Sequence, residues 1–247
     1  MVSAYDLDKI KFGTDIATFE RAVKLYESGK VTNFSEDIRE YSAVVLGSSP
    51  YRVFISPTYY DRGNCECYVA QNDGLCKHMV AVAIYAVLGG KKLSANDKKV
   101  TATPTCSNKK GSLSKEELKK TKSDITAALK FIKSYDGPSR TWFTYQNSLR
   151  EGCARLSAIV PELPVSTETA KLLINLLLRL DKKLSDTGVD DSDGTVGNFM
   201  TAIVQVLVKF TEIEPAIKKE FVILKGKPTC FDWEKPLLDL LKDENSD

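Results

Sequence analysis

The chain has a single histidine, His78, among 247 residues, with two tryptophans and three methionines. While that one imidazole serves any other purpose, no Ser-His-Asp or Cys-His nucleophile can be assembled. The patterns Gly-x-x-x-x-Gly-Lys-Ser/Thr and Gly-x-Gly-x-x-Gly are both missing, which removes the usual cradles for nucleotide hydrolysis and dinucleotide binding. No uninterrupted apolar run approaches the roughly 18 residues that cross a bilayer, so no membrane partner is expected. The stretch Met1 to Phe12 carries Asp6, Asp8, Lys9 and Lys11 in place of a signal peptide's apolar centre, so the expected compartment is the reducing cytoplasm. An excess of one charge is lacking too: 35 basic against 33 acidic residues leave a net charge of +2, and that balance alone names no partner. The 43% hydrophobic and 28% charged content is that of a folded chain long enough for two ordinary domains.

The lone histidine stands two residues after a cysteine, with a matching cysteine pair upstream. Cys65, Cys67, Cys76 and His78 read C-x-C-x8-C-x-H within fourteen residues. Three thiols and one imidazole complete the tetrahedral ligand set of a structural Zn(II) site, which leaves no position for substrate. On a strand, residues i and i+2 share a face, so Cys65 and Cys67 can aim at one ion. Asn72, Asp73 and Gly74 supply a turn. Cys76 and His78 precede the apolar stretch Met79 to Leu88, about three helical turns long. Within a regular helix an i, i+2 pair diverges by roughly 200°, so this pair is expected to straddle a loop and the first turn. Two disulfides are the competing use of four cysteines, disfavoured in a reducing compartment. A catalytic zinc would need an open position or an activating carboxylate, for which only Glu66 and Asp73 lie nearby. The chain is accordingly expected not to be an enzyme and to take no small-molecule substrate.

These residues resemble the SWIM zinc-binding domain, whose pattern is C-x-C, a variable spacer, then C-x-H. The resemblance extends over roughly residues 5 to 90. Phe19, Arg21, Tyr26, Gly29 and Val31 are similar to the family's short helix running into a glycine turn and first strand. Val44 to Gly47 and Tyr51 to Ile55 are similar to its central strands, and Cys76-Lys77-His78 runs on into an alanine-containing helix. Members occur in helicase-related remodelling ATPases, plant transposases, recombination accessory proteins and ubiquitin ligases. The resemblance implies DNA or protein binding without implying one activity.

Between Lys91 and Lys122 ten lysines stand against Asp97, Glu116 and Glu117, amid Pro104, Gly111 and many small polar residues. That composition favours a solvated linker over 91–112, between a zinc-binding domain at 1–90 and a second domain at 113–247. Lys91, Lys92, Lys98 and Lys99 would give such a tether salt-dependent affinity for phosphates; alternatively they only keep it extended and soluble. Aromatic and basic residues also interleave around the zinc motif: Tyr51, Arg52, Tyr59, Tyr60, Arg62, Tyr68 and Lys77. Stacking rings with cations beside them suit single-stranded nucleic acid. The same alternation over Tyr51 to Ile55 also describes a half-buried strand with Tyr51, Val53 and Ile55 inward and Arg52 outward.

After residue 112 the periodicity is helical. Ser114 and Glu117 form a capping-box signature ahead of Leu118, Ile125, Leu129 and Ile132, and Gly137-Pro138 ends the run. Further helices are expected at Arg140 to Ala158, Thr167 to Leu184 and Asn198 to Ile213, with shorter ones near Pro215 to Leu224 and Trp233 to Leu241. This predicts an all-α bundle or a small helical-repeat array. Val189 to Gly194 imitates a calcium loop. Placing Gly194 at the sixth position puts Val189 first and Met200 twelfth, where carboxylates are required, so a turn capped by Asp193 or Thr195 is expected instead. Cys153 and Cys230 are expected to be buried or partly buried and Cys106 exposed.

The fold class expected is therefore an α+β zinc-binding domain, with a short antiparallel sheet plus helices, followed by an all-α domain. Its expected cofactor is one structural Zn2+ ion and its expected partner is DNA, in a role accessory to an ATPase or recombination machinery; the alternative is a protein-interaction adaptor.

Overall fold

The computed structural model describes residues 3–101, 103–138 and 142–242. Arg140, the expected start of one helix, lies outside the described residues, as do residues 1–2 and 243–247 at the ends of the expected domains. The chain divides into two compact units, 1–100 and 101–247, each with its own apolar core.

The first unit opens with helices α1, Leu7–Gly13, and α2, Ile16–Glu27, each begun by an aspartate that accepts a backbone N–H of the first turn. In α2, Phe19, Ala22, Val23 and Tyr26 recur at helical spacing and are buried. Gly29, at φ +65°, then turns the chain into strand β1, Val31–Glu36. Strands β2, Tyr41–Leu46, β3, Pro50–Ile55, and β4, Gly63–Cys65, follow as an antiparallel meander in sequence order. Alternation decides which face is buried: Tyr41, Ala43 and Val45 of β2 and Val53 and Ile55 of β3 point inward, while Arg52 and Phe54 point out. A four-residue helix α3, Tyr68–Gln71, leads to α4, Lys77–Leu88. Seven consecutive residues of α4, His78 to Ile84, are buried, because the helix packs between α2 and the sheet. A helix covered on both sides can be apolar all round, as this one is.

The lysine-rich segment expected to be a solvated linker is tied down at both ends. Tyr26 donates its hydroxyl to the Lys91 carbonyl at 2.6 Å, Lys11 reaches the Asn96 carbonyl at 2.8 Å, and Lys98 pairs with Glu27 at 2.9 Å. A short helix α5, Ala95–Lys98, closed by a Ser94–Asp97 capping box, sits in this stretch. Farther on, the Lys109 carbonyl accepts the Val165 N–H at 2.7 Å and Lys110 pairs with Glu214 at 2.9 Å. Residues up to Val100 thus belong to the first unit and the rest to the second. The expectation rested on composition, which is blind to lysines whose carbonyls and ammonium groups meet partners distant in sequence.

The second unit is helical: α6, Lys115–Ala128; α7, Trp142–Ile159; α8, Thr167–Asp186; and α9, Thr195–Ile213. Ser114 and Glu117 form the expected capping box. Pro215–Leu224 is a run of 3₁₀ turns, and α10, Lys235–Asp239, closes the described chain. The α6 pattern outlasts its helix, since buried Leu129 and Ile132 lie beyond Ala128. Helix α9 is 19 residues long and apolar enough by length and composition to cross a membrane. Yet Phe199, Met200, Ile203, Leu207 and Phe210 are buried in the helical core, and α7, α8 and α10 pack against it, as suits the central helix of a bundle. At its start Asp191, not Asp193 or Thr195, does most of the capping: its carboxylate accepts the Val196 and Gly197 N–H groups at 2.7 and 2.8 Å. Cys106, expected in a polar tether, packs half-buried against this core.

Candidate metal centre

Cys65 ends β4, where its backbone pairs with Val53 of β3. That pairing requires glycine at position 63, since a Cβ there would stand 2.1 Å from the Phe54 carbonyl oxygen. Past the strand, Glu66 extends the ladder: its N–H donates to the Arg52 carbonyl at 3.3 Å and its carboxylate accepts the Arg52 N–H at 2.9 Å. Cys67 is therefore still extended, at φ −80° and ψ 155°, where it begins α3, and both sulfurs lie on one side as the i, i+2 argument requires. Asp73, in the left-handed region at φ 58°, makes the turn, and the Gly74 N–H returns to the Val69 carbonyl at 3.0 Å. Cys76 is the N-cap of α4 and His78 its second residue, so the second pair does straddle loop and first turn.

The four donor atoms lie within 4.8 Å of one another and all four residues are buried. The Cys65 sulfur stands 3.7 Å from His78 Nδ1. Ligands of a tetrahedral zinc at ordinary bond lengths are about 3.5–3.8 Å apart, so this pair already has the required separation. Nδ1 is the nitrogen turned toward the sulfurs. Nε2 is buried without a hydrogen-bond partner among the described residues. It faces Gly47, where a Cβ would come within 3.1 Å of it. The Tyr51 ring stacks on the imidazole, centroids 4.5 Å apart at 26°, with its hydroxyl 2.7 Å from Ser48 Oγ.

Electrostatics favour a thiolate at Cys76. A hydrogen bond from Cys65, with further ones from His78 and the Met79 N–H, pulls its thiol down to about 4 against the opposing effect of burial. The helix N-terminus adds in the same direction. Cys65 moves up because it holds the shared proton and is buried. Three buried sulfurs crowding one imidazole would be a poor core; around a dication they are a complete shell, so the donor set fits zinc. Bound there, zinc would link strand, knuckle and helix into one unit.

The site and fold define a structural zinc-binding module. Within it, residues 51–86 match the family model described as the SWIM zinc finger, so a SWIM zinc finger spans the four ligands. No curated protein and no solved structure matches the chain.

The residues expected to touch nucleic acid are dispersed. Tyr60 is 4% exposed, its hydroxyl 3.1 Å from Thr14 Oγ1 and its ring edge-on to Tyr5, so it is core and no stacking platform. Arg52 is exposed but engaged with Glu66. Tyr59 is 51% exposed, with the Arg62 guanidinium 4.3 Å over its ring. Lys77 is half-buried on α4, while Lys91, Lys92, Lys98 and Lys99 are exposed about α5. Glu66, the carboxylate considered for a catalytic metal, is held by Arg52, which keeps its carboxyl below the usual range. Sequence reasoning passed over Val69, 50% exposed beside Tyr68 at 80% in the turn after Cys67. Two large side chains inside a tight ligand spacer were the available signal.

Proposed function

We propose that this chain is a non-catalytic, zinc-folded module that associates with nucleic acid, preferring unpaired strands. The observation that carries the reading is the exposed Tyr59–Arg62 pair. It sits on the loop leading into β4, next to the ligand strand, and combines a flat ring with a cation fixed above it. Aromatic stacking on a base contributes on the order of 1–3 kcal/mol and is indifferent to sequence. The exposed lysines about α5 would add phosphate contacts, whose strength falls with added salt. DNA is the expected form of the partner, beside an ATPase or recombination machinery.

The test is a fluorescence anisotropy titration with labelled single- and double-stranded oligonucleotides at two salt concentrations. Tighter binding to single strands, weakened by salt and by Tyr59→Ala, supports the reading. No binding at low salt rejects it.

A second reading, a protein-interaction adaptor, has its own support in Tyr68 and Val69, adjacent and exposed on α3. Exposed aromatic and aliphatic side chains on a rigid knuckle suit an apolar partner surface, and binding through them would be insensitive to salt.

A further inference from the structure

A zinc-ligating histidine normally donates its second ring N–H to a carboxylate, carbonyl or water, and that bond fixes the orientation of the ring. In this protein that bond is missing among the described residues, because His78 Nε2 is buried beside Gly47 with no acceptor. What the described residues give the imidazole instead is packing. Its face is covered by Tyr51 at 4.5 Å and 26°, its edge lies against Gly47, and Ser48 holds the Tyr51 hydroxyl at 2.7 Å. Position 47 leaves no slack: a Cβ there would come within 3.0 Å of the Tyr51 ring and 3.1 Å of Nε2. For His78 to leave the ligand cluster its ring must rotate, and the tyrosine lies across that movement. We propose that Tyr51 is a positioning residue for His78, its ring replacing the missing hydrogen bond and setting the rate at which zinc is released.

The inference rests on the assignment of the four zinc ligands, and it extends the role of the β2–β3 turn beyond strand connection. Ser48 is exposed and Tyr51 only half-buried, so the stack stands at the surface. Solvent or a bound partner can therefore reach the element that holds the ligand. Tyr51 contacts His78 through its ring face, and its hydroxyl anchors it to Ser48 and Ser49. The aromatic ring is thus the essential part, and phenylalanine should substitute for it where leucine, similar in apolar bulk, should not.

Full-length chain and the Tyr51→Phe, Tyr51→Leu and Gly47→Ala variants are loaded with zinc, counted by metal analysis, and mixed with excess chelator and a colorimetric indicator. One ion per chain is expected throughout. Release is expected to be roughly tenfold faster in Tyr51→Leu and within twofold of the parent in Tyr51→Phe, a factor in keeping with one aromatic stack. Gly47→Ala, which presses on both rings, should also accelerate release. Nitrogen NMR of His78 should show Nδ1 metal-bound with Nε2 protonated in the parent and the signal broadened in Tyr51→Leu. Equal rates for the phenylalanine and leucine variants would mean that only bulk matters and would overturn the proposal, as would a histidine bound through Nε2. A parent chain without zinc would instead reject the ligand assignment itself. If Tyr51→Leu does not retain zinc while Tyr51→Phe does, the stack is required for binding as well as for retention, in support of the proposal.

Discussion

Arg52 and Glu66 clasp the first ligand pair from outside: the glutamate accepts the arginine backbone N–H at 2.9 Å and its Nε at 2.8 Å, while the strand ladder continues beneath. Glu66 lies between Cys65 and Cys67, so the clasp keeps the C-x-C segment extended, with both sulfurs inward. It also commits the carboxylate between the first two ligands to a guanidinium. A structural site is expected to tolerate Glu66→Gln, which still accepts the backbone hydrogen bond: zinc content should stay at one per chain by metal analysis. Loss of a metal-dependent hydrolytic activity in that variant would identify the carboxylate as a working base and contradict a purely structural site.

Cys67→Ser or His78→Ala should lose zinc together with the structure of the first unit. Structural zinc contributes on the order of 10 kcal/mol of apparent folding free energy, more than most domains hold in reserve. The helical unit has its own core, so its helical circular dichroism should persist. The check is metal analysis combined with hydrogen exchange: protection should vanish in α4 and remain in α9. A variant that keeps both zinc and α4 protection would contradict the ligand set.

Acid should strip the metal in a defined direction. Zinc requires deprotonated ligands. Hydrogen bonds from Cys65, His78 and the Met79 N–H hold the Cys76 thiol below the range of an ordinary thiol. A depressed folded value contributes stability fully above the unfolded thiol range, about 8.5, which declines below it and is gone once pH falls through the folded value. Zinc retention, followed with an indicator from pH 7.5 downward, should therefore weaken progressively as the medium is acidified. Retention that does not change with acidification would contradict the thiolate assignment.

Much of this was legible in the sequence, and the reasons are local. Zinc ligands announce themselves because coordination demands particular residue types at short spacing, as in C-x-C and C-x-H. Helices α8 and α9 were visible for a similar reason, their apolar residues recurring at helical intervals. Tyr60 was not legible: its neighbours Tyr59 and Arg62 face solvent, while the distant Thr14 and Tyr5 meet it in the interior. Lys91 and Lys98 read as linker residues because their partners, Tyr26 and Glu27, lie more than 60 positions away. The Tyr51–His78 stack was hidden likewise, since strand alternation says which side of the sheet a ring takes but not which ring it meets.

A core substitution should separate the two units energetically. Leu173 of α8 is fully buried in the helical core, and Leu173→Ala should cost about 2–5 kcal/mol. Denaturant unfolding followed by circular dichroism should show that loss, with zinc content unchanged. A simultaneous loss of zinc would mean that the units do not fold independently.

The most direct measurement is the metal content of the purified full-length chain, followed by chelation. One zinc per chain, with the first unit losing its hydrogen-exchange protection on strong chelation and regaining it when zinc is restored, is the predicted result. A chain that carries no transition metal and keeps its amino-terminal unit ordered under chelation would contradict the account.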